Sequence, residues 1–162
     1  ASRRSMAKRI SREVLEAQGK LAPDVVAVRA GKTVVDLHSP VDDSLPITPI
    51  RATEPAGLEV IRHSTAHVMA DAVQRLFPGT KVTFGPSTED GFYYDFHRPD
   101  GKTFTEEDLA RIEATMREIV AAGAPFQREV VSRDAAVELF RGMGETFKVE
   151  HISNIPADEE IS

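Results

Sequence analysis

The sequence predicts an α+β protein built from two small units, and three observations carry that prediction. Segments with apolar residues at helical spacing alternate with short runs of β-branched residues bounded by Gly, Pro and Asp. The stretch from Ala52 to Gly57 holds turn formers without any periodic pattern and separates a first unit from a second. The composition, 162 residues with 41% hydrophobic and 28% charged side chains, suffices for one or two modest cores. No run approaches the ~18 apolar residues of a membrane helix, and the first residues lack the apolar segment of a secretion signal. A cytoplasmic protein that does not enter membranes is therefore expected. The absence of cysteine excludes a disulfide scaffold, a thiolate zinc site and a cysteine nucleophile within these residues.

The elements follow in order. Met6, Ile10 and Val14 recur every four residues between Ser5 and Gln18, with Ala7 and Leu15 widening the stripe and Gly19 as a stop, which predicts an amphipathic helix. Val25–Val28 reads as a strand, Ala30-Gly31-Lys32 as a tight turn and Thr33–Leu37 as the return strand of a hairpin. Pro40–Ser44 makes a polar turn, and Ile47–Ile50 is an edge-type strand in which Pro49 is tolerable. The second unit opens with a helix from Leu58 to Phe77, ended by Pro78-Gly79, and strands are expected at Lys81–Gly85 and Gly91–His97. Thr105 before Glu106-Glu107-Asp108 predicts a capped helix start. Leu109, Ile112, Met116 and Ile119 would be its buried stripe and Gly123 its end. Val130-Val131 suggests a strand, Ser132 a cap for a short helix through Phe140, and Thr146–Glu150 a final strand.

The net charge of -6 argues against coating nucleic acid by bulk attraction. The distribution is uneven: Arg3, Arg4, Lys8, Arg9, Arg12 and Lys20 crowd the start, whereas residues 150–162 carry acids and no Lys or Arg. A local RNA contact and a solvated helix face both fit that start.

Two nucleotide motifs fail. Gly31-Lys32-Thr33 lacks the glycine of a phosphate loop, since Val26 stands there, and no G-x-G-x-x-G occurs. The informative segment is Arg62-His63-Ser64-Thr65-Ala66-His67. Histidines at i and i+4 share a helix face with Cβ atoms about 5–6 Å apart, close enough to act on one water, ligand or metal. At about 100° per residue, Ile61, Thr65, Val68, Ala72 and Leu76 fall within roughly 80° as an expected core stripe, with His63 and His67 on the opposite side near Gln74. Solvated surface histidines are the plain alternative. A zinc protease would need a glutamate where Ser64 stands, and a third ligand from His97, His151 or a carboxylate would be a guess. The second dense segment, Phe84–Phe96, holds both tyrosines and three of the eight phenylalanines. Strand alternation puts Phe92, Tyr94 and Phe96 on one face and Tyr93, Asp95 and His97 on the other.

Ile61–His67, followed by Phe77-Pro78, Phe84-Gly85-Pro86 and Gly91-Phe92-Tyr93-Tyr94-Asp95-Phe96, resembles the N-terminal region of bacterial-type threonyl-tRNA synthetases, and the resemblance covers nearly the whole chain. It implies part of a ubiquitin-like (β-grasp) TGS domain over residues 1–51, a linker over 52–57, and over 58–162 the N-terminal part of an editing domain with helices packed on an antiparallel sheet. In that family the editing domain hydrolyses tRNA(Thr) mischarged with serine. Serine and threonine differ by one methyl group, which a binding pocket discriminates by only ~1–3 kcal/mol, so a second site is needed. The resemblance implies His63, His67 and Lys148 of Gly144-Glu145-Thr146-Phe147-Lys148 as catalytic residues, with Tyr94 and Asp95 binding substrate.

The family's pocket also uses an aspartate and a Cys-x-x-x-His element further along, and its ubiquitin-like unit begins with a hairpin before the first helix. The expectation is a fragment of a larger synthetase, weak or inactive alone. No cofactor is expected for these residues; ATP, magnesium and zinc are implied for the parent's aminoacylation domain. The implied partner is tRNA(Thr), without DNA, and the implied parent is a homodimer. A non-catalytic RNA-binding or regulatory module, and zinc binding by His63 and His67, are the alternative readings.

Overall fold

The computed structural model describes residues 8–42, 44–83, 85, 87–124 and 131–157. Among the described residues, five helices and two small antiparallel sheets make an α+β architecture, as the sequence predicts. It forms two compact units, Ala1–His63 and Ser64–Ser162.

In the first unit, helix α1 spans Ser11–Ala17 and so starts later than the Met6-Ile10-Val14 periodicity predicts. Arg9 and Ile10 use their backbone groups differently: Ile10 bridges Pro40, and the Arg9 carbonyl accepts from the Val41 N–H. Residues 5–7 of the expected helix lie outside the described residues. Strands β1 (Val25–Ala30) and β2 (Thr33–Val35) form the expected hairpin, turning through Gly31 at φ +62, a conformation that glycine adopts without strain. Strand β2 stops before Leu37 because Asp36 starts a turn, its carboxylate accepting from the His38 N–H at 2.6 Å and the Ser39 hydroxyl at 2.7 Å. Strand β3 (Ile47–Arg51) pairs with the other side of β1, giving the order β2-β1-β3 and leaving Pro49 on an edge strand. Val14 and Leu15 of α1 pack with Val25, Val28, Val41 and Ile47 as the core of this unit.

Helix α2 spans Pro55–Leu76, three residues longer at its start than expected. Proline is pre-shaped for the first helical position, and the Glu54 carbonyl accepts the first helical bond from Leu58. Gly57, which reads as a turn former in the sequence, serves a close approach: a Cβ there would stand 1.9 Å from the Arg51 carbonyl oxygen.

In the second unit β4 (Lys81–Val82) and β5 (Phe96–His97) pair antiparallel and are shorter than expected. Between them Ser87 bridges Phe92, while Phe84 and Pro86 lie outside the described residues. Helix α3 (Glu106–Ala122) matches its expectation at both ends: the Thr105 hydroxyl accepts from the Asp108 N–H, Asp108 accepts from the Thr105 N–H, and Gly123 closes the helix at φ +65. Its buried face holds Ile112, Met116 and Ile119 against Val73, Phe77, Phe96 and Phe104, but Leu109 is 57% exposed and does not join it. Arg98 lies 4.4 Å over the Phe77 ring and 5.3 Å from that of Phe104, with Asp100 and Asp108 beside its guanidinium.

Val130 of the expected strand lies outside the described residues. Helix α4 (Arg133–Gly142) starts at the Ser132 cap, as expected. The expected strand at Thr146–Glu150 is instead helix α5 (Thr146–Asn154). Arg133 of α4 donates to the carbonyls of Ile152, Ile155 and Pro156 and satisfies the end of α5, an arrangement that no local run of residue types displays. Among the described residues no helix is long and apolar enough to cross a membrane.

Candidate functional site

His63 and His67 both lie on α2, one turn apart on one face, and both side chains are exposed. Their relation to the core differs from the expected phase. Ala72 of the expected stripe is buried and Leu76 packs beside it, but Ile61 is 37% exposed, and Ala66, Ala70 and Val73, outside that stripe, are buried. At about 100° per residue Ala66 and Ala70 fall within roughly 60° of His63, so the histidine stripe borders the buried face of α2 rather than opposing it. Ala66 and Ala70 are covered, while the longer imidazoles beside them stand exposed at the rim.

Tyr94 lies in the segment leading into β5. Its ring stacks on Phe96 at 5.2 Å between centroids, and a Cβ on Gly85 would stand 2.1 Å from its Cδ2, so only glycine leaves that space. Burial, then the charge of Glu145, holds the phenol above its ordinary pKa, which keeps it a hydrogen-bond donor. Tyr93, on the other face, is 57% exposed. Asp95 has an exposed side chain and contributes its backbone: its carbonyl accepts from the Thr83 N–H at 3.1 Å and the Thr83 hydroxyl at 2.7 Å, continuing the β4–β5 pairing.

Lys148 stands in the first turn of α5, half-buried, with its ammonium 5.1 Å over the Phe140 ring of α4. That cation–π contact holds the charge beside an apolar wall. The helix is tied down around it: Lys81 Nζ reaches the Thr146 hydroxyl at 3.0 Å, and Phe147 meets the His97 ring edge-on at 5.9 Å.

The structure adds two residues that sequence reasoning missed. Glu145, just before α5, is buried, and its carboxylate accepts from Gln74 Nε2 at 2.6 Å and from the Val82 N–H at 3.4 Å. Gln74 also donates to the Thr80 carbonyl at 3.2 Å. Their separation of 71 positions explains why spacing could not reveal the pair. Among the described residues no group of three or more His, Asp and Glu side chains is placed to hold a metal ion.

The unit Ser64–Ser162 holds the exposed His67 imidazole, the half-buried Tyr94 phenol and the Lys148 ammonium, and His63 stands one turn earlier on α2; these are side-chain types able to orient a polar substrate and a water. No protein-family model matches the chain. It is 52% identical over 143 residues to the threonine--tRNA ligase of Nitratidesulfovibrio vulgaris (strain DSM 19637 / Miyazaki F), over 86% of the chain and 22% of that protein. It is 51% identical over 142 residues to the threonine--tRNA ligase of Gluconacetobacter diazotrophicus, and 49% identical over 142 residues to that of Rhodospirillum rubrum, each over 88% of the chain and 22% of the relative. The chain thus spans about a fifth of the length of the curated relatives it matches.

Proposed function

The chain is homologous to the N-terminal part of threonine--tRNA ligase, and from that premise we propose that it contributes tRNA contacts and part of the site that hydrolyses mischarged seryl-tRNA(Thr). The observation that carries this reading is the exposed His63–His67 pair at the rim of α2's buried face, of which His67 lies in the unit that also holds the half-buried Tyr94 and Lys148.

The chemistry is ester hydrolysis. A water oxygen bonds to the acyl carbon, the bond to the terminal ribose oxygen breaks, and one water proton passes through an imidazole to that leaving oxygen, yielding serine and uncharged tRNA. No ATP is consumed. His63 and His67 orient the ribose and the water and carry the proton, since an imidazole accepts at one ring nitrogen and donates from the other. Lys148 stabilises the negative charge that develops on the acyl oxygen. Tyr94 lines the pocket that admits serine, and Asp95 contributes to binding the substrate. ATP, magnesium and zinc belong, in this reading, to the aminoacylation part of the complete enzyme, a cytoplasmic homodimer.

The test is made in the complete synthetase. His63→Ala and His67→Ala each lower seryl-tRNA(Thr) deacylation by about 100-fold or more, the lower end of a general acid–base contribution, while threonine attachment is retained. Wild-type deacylation by both variants would remove the assignment. The reading as a non-catalytic RNA-binding module rests on the exposed Arg9, Arg12 and Lys20, but Arg12 is paired with Glu16 at 3.4 Å, which trims that basic face. Salt-sensitive tRNA binding without hydrolysis by the complete enzyme would favour the module.

A further inference from the structure

We propose that Glu145 is a positioning residue, a buried carboxylate that joins the histidine-bearing face of α2 to the start of the helix carrying Lys148. The inference rests on the editing roles of His67 and Lys148 proposed above and extends them to a residue that touches neither substrate nor water.

Gln74 belongs to the same stripe of α2 as the histidines. At about 100° per residue it falls between His63 and His67 in phase, and it lies seven residues, or about 10 Å, beyond His67 along the axis. Its amide donates to Glu145 Oε1 at 2.6 Å. The other carboxylate oxygen accepts from the Val82 N–H at 3.4 Å, so one side chain grips α2 and β4 together. Glu145 immediately precedes α5, and Lys148 follows three residues later. The Gln74 amide is in turn fixed by the Thr80 carbonyl. A buried carboxylate carries a desolvation cost, and here two donors offset it across 71 and 63 residues of chain, so the bridge acts on the relation between elements rather than within one. Burial and the Glu145 charge both act on Tyr94, which places the phenol in the same neighbourhood.

The experiment uses the complete synthetase and reads kcat and KM for seryl-tRNA(Thr) hydrolysis beside the aminoacylation rate of the same protein. Glu145→Ala removes the bridge, and kcat falls about 100-fold, the cost of an ångström-scale misplacement, with KM and aminoacylation within about threefold of wild type. Glu145→Gln keeps one acceptor oxygen for the Gln74 bond but sets an NH2 donor against the Val82 N–H, so half of the bridge remains and kcat stays above that of Glu145→Ala. If Glu145→Ala fails to fold, as lost aminoacylation and an altered melt would show, Gln74→Leu asks the same question from the half-buried side of the bridge and gives the same fall in kcat. His67→Ala and Lys148→Ala separate the two levels of the argument. If these leave hydrolysis unchanged, the underlying editing assignment fails. If they abolish it while Glu145→Ala or Gln74→Leu hydrolyses normally, the positioning role alone is overturned. A change confined to KM would also overturn it, since substrate affinity would then be what matters.

Discussion

Gly85 leaves the Tyr94 ring its seat, and the space is already full: an added methyl would stand 2.1 Å from Cδ2. Gly85→Ala is expected to push the ring aside and lower stability by about 1–3 kcal/mol, the usual range for overpacking, read as a lower urea midpoint. The Tyr94 phenol supplies a second prediction. Its pKa is raised in the folded chain by burial and by Glu145, so the folded state holds the proton more tightly than the unfolded state. The resulting stability is fully present below the ordinary tyrosine pKa and is lost as pH rises through the folded value. An ultraviolet titration of the Tyr93→Phe variant, in which Tyr94 is the remaining tyrosine, should show ionisation at higher pH folded than in denaturant. At this scale the sequence displays the histidine pair clearly, because motif and helical spacing are local. It hides which side of α2 is buried, because small alanines rather than Ile61 proved to be the packed residues.

Helices α3 and α5 show what local pattern can and cannot convey. The limits of α3 are written in Thr105, Asp108 and Gly123, whose side chains or backbone act within one turn. Thr105→Ala is expected to cost about 1 kcal/mol, measured by chemical denaturation, because the Asp108 N–H loses its acceptor. For α5 the β-branched and aromatic run Thr146-Phe147-Lys148-Val149 favours a strand locally, and tertiary contacts override it. Arg133 reaches from 19 residues away to the Ile152 carbonyl and also binds those of Ile155 and Pro156. Arg133→Met should therefore lower stability by about 1.5–3 kcal/mol, the scale of hydrogen bonds to a charged group, and hydrogen exchange should speed up at the end of α5 before other segments. Glu145 was illegible for the same reason as α5, since its partners are distant in sequence.

Across the whole chain, the α+β class was legible because helical and strand-like apolar patterns are both local, and they supply two packed sets: Leu15, Val28 and Ile47 in one, Val73, Ile112 and Phe104 in the other. Leu15 is fully buried at 0% exposure. Leu15→Ala should cost about 2–5 kcal/mol, and hydrogen exchange should register the loss in β1 and β3. The start of the second helix was placed too late because Pro55 and Gly57 read as punctuation, whereas the fold uses one to begin the helix and the other to fit it against Arg51.

That start has a practical meaning for anyone dividing the molecule by cloning or limited proteolysis. Helix α2 runs without interruption from Pro55 to Leu76, so a cut inside it creates two raw ends with unpaired N–H and carbonyl groups. A piece beginning at Leu58 would lack the Glu54 carbonyl that receives the first helical bond and the proline that opens the turn. A fragment meant to retain the histidine helix intact should therefore begin no later than Arg51, whose backbone and carboxylate partner Glu54 form the seat on which the helix is launched.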